Sequence, residues 1–147
     1  MTIDLRKISD VEELIKWRAE VIEAVFGEKA DQALLSANRE YYVKHLCDDS
    51  HMAFVAEFNG IEAGCGAVCF YDELPSPDNL TGRCAYLMNI YVRPDYRERG
   101  IAKMLVRHLV NEARNRHCGK IYLETTDAGR SLYSAVGFDE MKDMMKL

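Results

Sequence analysis

The chain has 147 residues, 48% of them hydrophobic and 29% charged, with a formal net charge of −5. That length suits one domain with a continuous core, spanning residues 1–147, and is too short for two; the acidic balance disfavours general nucleic-acid binding, and no apolar run approaches the roughly 18 residues of a membrane span. Five cysteines with no Cys-x-x-Cys pair, and four histidines without ligand spacing, argue against a disulfide framework and predict free thiols and no metal.

The opening Met-Thr-Ile-Asp-Leu-Arg-Lys lacks the apolar region of a secretory leader, so a cytoplasmic location is expected. Thr2 to Ile8 alternates with period two and reads as a first strand. Ser9-Asp10-Val11-Glu12 has the form of a capping box, with Ser9 as N-cap and Glu12 as the third helical residue, and predicts a helix to about Phe26 that Gly27 closes. A second helix is expected over roughly Lys29 to Cys47. Arg39, Tyr41 and Tyr42 on it either border a substrate pocket or simply pack and solvate an amphipathic helix, the plainer reading.

From Met52 the period changes to that of a strand, and Asn59-Gly60 is the favoured sequence for a tight hairpin turn into a partner strand over Ile61 to Tyr71. Gly64 and Gly66 inside that partner predict a bulge or the close approach of another backbone, and the even spacing of Cys65 and Cys69 puts both on one face. Asp72 to Gly82 is a loop rich in Pro, Asn and Gly, whose Asp72, Glu73 and Asp78 either meet a cationic acceptor or are merely solvated.

Arg83 to Val92 reads as the central strand. Pro94 ends it, because proline cannot donate to a ladder and pushes Arg93 towards extended geometry. Ala102, Leu105, Val106, Leu109, Val110 and Ala113 then follow helical spacing, with Gly119 as the expected C-terminal cap. A strand over Ile121 to Thr125, a short helix over Ala128 to Val136 stopped by Gly137, and a strand-like tail from Phe138 complete the expected order β-α-α-β-β-β-α-β-α-β.

The stretch Ile90 to Lys103 is thus a strand, a turn and a helix start. The unpaired amides and positive dipole end of that first helical turn face back over the strand end, with Arg97 and Arg99 adding charge and Gly100 and Ala102 removing bulk. This is an anion site suited to a diphosphate. The Gly-Lys-Ser/Thr of a triphosphate loop and the Gly-x-Gly-x-x-Gly of a dinucleotide fold are both missing.

Arg97-Glu98-Arg99-Gly100-Ile101-Ala102, preceded by Tyr91-Val92-Arg93-Pro94, resembles the signature of the GNAT superfamily of acetyl-coenzyme A-dependent N-acetyltransferases, in which Arg or Gln is followed after two residues by Gly and, one further on, by Gly or Ala. A second block, Thr126 to Phe138 with its Tyr133-x-x-x-Gly137-Phe138 ending, is similar to the family's and follows at the family's distance. The resemblance implies an α/β fold with a mixed, mostly antiparallel central sheet flanked by helices and splayed at its central strands. It implies that backbone amides of Arg97, Glu98, Arg99, Gly100, Ile101, Ala102 and Lys103 hold the coenzyme's diphosphate. The edge of Asn89, Ile90, Tyr91 and Val92 would pair with the pantetheine arm, and the Ile90 N–H would stabilise the thioester oxyanion.

The implied reaction is attack of a primary amine on the thioester. An alkylamine of pKa about 10.4 lies about 3.4 units above neutral pH, so its deprotonation costs about 4.6 kcal/mol and a base is useful. Arg83 to Val92 carries no carboxylate where many relatives have a glutamate. Glu124 is the leading substitute, acting directly or through water; a solvated or salt-bridged strand-end residue is the alternative. Tyr133 is the family-matched proton donor to the leaving thiolate. Asn89 hydrogen-bonds either the acceptor or a bulge in its own strand. The partners expected are acetyl-coenzyme A and an amine acceptor, with no nucleic acid and no membrane, and with a homodimer open. After Phe138 there is room for one strand where many relatives have two, so a last strand is either completed by another chain or missing. The alternative to an enzyme is a catalytically inactive module that binds acetyl-coenzyme A or coenzyme A.

Overall fold

The computed structural model describes residues 2–147. Its elements are β1 (Ile3–Ile8), α1 (Val11–Phe26), α2 (Gln32–Leu46), β2 (His51–Phe58), β3 (Ile61–Asp72), β4 (Arg83–Val92), α3 (Ile101–Asn115), β5 (Lys120–Leu123) and α4 (Arg130–Val136). The strands form one sheet in the order β1-β2-β3-β4-β5, antiparallel except for the parallel pair β4/β5. The expected fold class is therefore the observed one. Asn59 and Gly60 both have positive φ, 50° and 82°, which is the mirror-image turn that matches the twist of β2 and β3.

Period-two alternation divides the apolar side chains of the sheet between two cores. On one face Phe54, Val68, Ala85 and Leu87 meet Leu105, Val106, Leu109 and Ala113 of α3. On the other, Val55, Cys65 and Ala67 meet Leu14, Trp17 and Val21 of α1 and Tyr42 of α2. Leu105, Val106 and Leu109 are fully buried, each stabilising the fold by about 1.5–3 kcal/mol. None of the helices is long and apolar enough to cross a membrane among the described residues.

Four local expectations are corrected. The first N-cap is Asp10, whose carboxylate accepts from the Glu12 N–H, rather than Ser9. The carboxylate of Asp31 accepts from the Leu34 N–H, so α2 starts at Gln32 and not near Lys29. The end of α3 is Arg116, followed by His117 at φ 59°, so Gly119 is not its cap. Gly119 is instead a contact residue: a side chain there would collide with the Asn79 amide. Finally, Phe138 to Leu147 forms no strand, and the sheet has five strands where six were expected. The tail holds Met141, Met144, Met145 and Leu147 exposed, with no period that could bury one face against the edge of β5.

Candidate functional site

The register of the two central strands produces the site's opening. β4 and β5 pair over four rungs, from Cys84 opposite Lys120 to Leu87 opposite Leu123, where β5 ends. From Met88 onwards β4 has no strand partner on that side. On its other side the ladder with β3 passes from Ala67↔Met88 to Cys65↔Tyr91, so β4 spends one residue more than β3 and bulges at Asn89 and Ile90. Asn89 takes φ 55°, a left-handed conformation that asparagine tolerates better than most residues. Gly64 is fixed by the same feature, because a Cβ there would lie 2.5 Å from the Tyr91 carbonyl oxygen.

The Asn89 side chain is held, not free. Its Oδ1 accepts a 2.7 Å hydrogen bond from Arg18 Nη1, and Arg18 Nε donates to Asn38 Oδ1 at 3.1 Å, so α1, α2 and β4 are joined at the bulge. Asn89 thus lies in a bulge of its own strand, but its side-chain oxygen is bonded by Arg18 of α1 and not by that strand. Two residues along α1, Glu20 takes two 2.9 Å bonds from Arg93, which also donates to the Glu62 carbonyl and lies over the Trp17 ring. The Arg93 guanidinium holds the Glu20 carboxyl below its usual range.

Past Pro94 a single 3-10 turn leads to Arg97, whose Nε donates back to the Val92 carbonyl at 3.0 Å and ties the loop to the strand end. Arg97 is extended, and Glu98 at φ 60° and Gly100 at φ 82° take left-handed conformations, so the backbone turns sharply just before the first amides of α3. Gly100 is the N-cap of α3 and supplies no side-chain bond, and the first intrahelical donor is Met104 to the Gly100 carbonyl. The amides of Ile101, Ala102 and Lys103 are thus left for a ligand. Nothing would lie within 4 Å of a Cβ at Gly100, so the approach is open. Arg99 lies over the Phe58 ring at 5.0 Å, its charge beside the start of α3.

The two candidate proton-handling residues fall on opposite faces of the sheet. Tyr133 projects from α4 into the core shared with α3, together with Ile90, Ala102, Ile121 and Leu123. Phe138 meets its ring edge-on at 6.1 Å, Gly129 gives it room, and its hydroxyl bonds to none of the described residues. Burial pushes this phenol up, so it is protonated at neutral pH and available as a donor. Glu124 lies one residue past β5, exposed, on the face of Tyr122. It stands close enough to Tyr86 that, after burial, its charge helps push that hydroxyl up to about 12.

Tyr86 and Tyr122 face each other with ring centroids 4.9 Å apart, and the Tyr122 hydroxyl bonds that of Tyr71. This tyrosine floor was not anticipated from the sequence, although Tyr71, Tyr86 and Tyr122 sit at matching parity in their strands. Arg18 was likewise missed, since nothing in a helical pattern says which polar residue will reach a strand bulge. Among the residues expected to border a pocket, Tyr42 is buried in the core, Tyr41 bonds His51 Nδ1 at 2.9 Å, and Arg39 pairs with Glu12. No cluster of His, Cys, Asp and Glu that could hold a metal occurs among the described residues.

The model of the acetyltransferase (GNAT) family matches residues 11–138. A predicted acetyltransferase from Clostridium acetobutylicum, crystallised with acetyl-CoA, superposes with a TM-score of 0.88 at 28% identity, covering 99% of this chain and 96% of that one. The ribosomal protein bS18-alanine N-acetyltransferase of Salmonella typhimurium is 39% identical over 59 residues, 38% of this chain and 40% of that protein. N-alpha-acetyltransferase 30 of Saccharomyces cerevisiae is 38% identical over 89 residues, 58% of this chain and 48% of its own. The chain therefore spans less than half the length of either curated relative.

Proposed function

The chain belongs to the GNAT family of acetyltransferases, and we propose that it transfers the acetyl group of acetyl-coenzyme A to a primary amine by direct attack on the thioester. The observation that carries this reading is the unpaired edge of β4 from Met88 to Val92 running straight into the uncapped amides at the start of α3. The residues fit the coenzyme. An extended arm would add to the edge of Asn89 to Val92 as a further strand, and the loop from Arg97 to Lys103 offers bare N–H groups, a helix dipole and neighbouring cations to a diphosphate. The bound coenzyme supplies a thioester carbonyl for the amine to attack.

Each remaining task falls to a residue of the chain. The fixed bulge holds the Ile90 N–H ready to donate to the carbonyl oxygen as charge develops there. Glu124, directly or through water, accepts the proton that the amine gives up as the C–N bond forms. Tyr133 donates its phenolic proton to the departing sulfur as the C–S bond breaks, which neutralises the thiolate. A thiol near pKa 8.5 is a stronger acid than even a free phenol near pKa 10, and burial raises this phenol further, so full transfer is uphill by at least about 2 kcal/mol and the donated hydrogen bond is the larger part of the effect. Base and donor stand on opposite faces of the β4/β5 gap, so neither obstructs the other.

The test is thiol release from acetyl-coenzyme A over a broad panel of primary amines. Saturable, amine-dependent release is expected. Calorimetric binding of acetyl-coenzyme A without release from any amine would leave only a coenzyme-binding module, and the absence of binding would remove both readings.

A further inference from the structure

Arg18 is a cation without a matching anion at the point where β4 bulges. Its partners are the amide oxygens of Asn38 and Asn89, and no carboxylate lies within ion-pair distance among the described residues. The other carboxylates that α1 turns towards neighbouring elements are taken, Glu12 by Arg39, Glu13 by Arg6 and Glu20 by Arg93. The titratable groups whose pKa the Arg18 charge lowers are Tyr42, His51 and Cys65. All three are uncharged at neutral pH, because burial pushes the Tyr42 hydroxyl up, the Cys65 thiol up to about 12 and the His51 imidazolium down to about 4.

A half-buried guanidinium surrounded by neutral groups is electrostatically uncompensated, and its Nη2 is not engaged by any described residue. The planar fork suits a carboxylate or phosphate oxygen. Arg18 is also anchored at both ends, by α2 and by the bulge, so an anion it met would be fixed relative to Ile90, the next residue of β4. On the same face stand Tyr86, Tyr122 and Glu124, a pair of aromatic rings and a carboxylate that suit an ammonium group.

We propose that Arg18 reads an anionic group on the acceptor, so that the preferred acceptors are primary amines carrying a carboxylate or phosphate a few bonds from the nitrogen. The inference rests on the transferase reading above and narrows its substrate class. The anion docks at Arg18, the amine points towards the gap between β4 and β5, and the two opposite charges of the site set the orientation.

The test compares matched pairs of amines, lysine against lysinamide and phosphoethanolamine against ethanolamine, by thiol release with wild type, Arg18→Met and Arg18→Lys, alongside calorimetric binding of acetyl-coenzyme A. Wild type should favour the anionic member of at least one pair by tenfold or more in kcat/KM, and the pair concerned shows whether carboxylate or phosphate is read. Arg18→Met should abolish that preference with unchanged coenzyme affinity, and Arg18→Lys should keep part of it. Neutral members used as well as anionic ones would overturn the proposal. So would an Arg18→Met variant that slows both members of each pair equally, which is the signature of a bracket for Asn89 and nothing more. Failure of wild type to bind acetyl-coenzyme A would instead remove the transferase reading itself.

Discussion

Single residues carry most of the chemistry. Gly100 adopts φ 82°, a conformation that costs a residue with a side chain about 1–2 kcal/mol, and the same geometry aims the following amides outward. Gly100→Ala is therefore expected to weaken acetyl-coenzyme A binding several-fold by calorimetry while lowering stability by about 1 kcal/mol. Unchanged binding would detach the left-handed turn from the coenzyme site. Tyr133→Phe removes a proton donor but keeps the ring against Phe138, so kcat should fall by about 10- to 100-fold with the coenzyme affinity unchanged. Equal turnover at a saturating amine would end the assignment. Glu124→Gln should lower kcat/KM most at neutral pH and less as the pH approaches that of the free amine; a uniform loss at every pH would point to positioning and not to base catalysis.

At the scale of elements, the same bulge serves β3, β4 and α1. It shifts register by one residue, demands glycine at position 64 and presents Asn89 to Arg18. The loop after β3 has a comparable anchor. Buried Asn79 donates to Glu73 and to the Arg83 carbonyl, Thr81 donates to the His117 carbonyl, and Gly119 makes room for Asn79. The glycine that a helical pattern assigns to a cap thus belongs to a contact between the loop and the start of β5, which sequence spacing has no means of revealing. Gly119→Ala should destabilise the protein by about 1–3 kcal/mol, the ordinary cost of overpacking, measured as a shift in the denaturant midpoint. An unshifted midpoint would mean that the loop moves aside without cost. The missing sixth strand has a different cause. Phe138 packs against Tyr133, but the residues after it mix charged and flexible apolar side chains without a strand period, and Met141, Met144, Met145 and Leu147 stay exposed.

Over the whole molecule, one sheet separates two faces, with the Arg97 to Lys103 loop and Tyr133 on the α3 side and Arg18, Glu124 and the tyrosine floor on the α1 and α2 side. His51, 2% exposed and bonded to Tyr41, links that second face to stability. Burial lowers its pKa from 6.5 to about 4, so between those values the unfolded chain binds the proton more tightly than the folded one. Stability from this group is complete above pH 6.5 and is lost as the pH falls through the window, amounting to about 3 kcal/mol by pH 4. Chemical denaturation at pH 7 and at pH 4.5 should show a larger acid loss for wild type than for His51→Gln; parallel losses would assign the acid sensitivity to carboxylates alone. The amino-acid sequence by itself determined the element order through β5, the turn at Asn59-Gly60 and the strand-turn-helix form of Ile90 to Lys103, because period, turn chemistry and helix starts are local properties of neighbouring residues. Tertiary structure alone decided which side chains share a face at the gap, that Asn89 bulges towards Arg18, and that Gly119 belongs to Asn79. Those depend on strand register and on contacts between residues tens of positions apart, which no local pattern encodes.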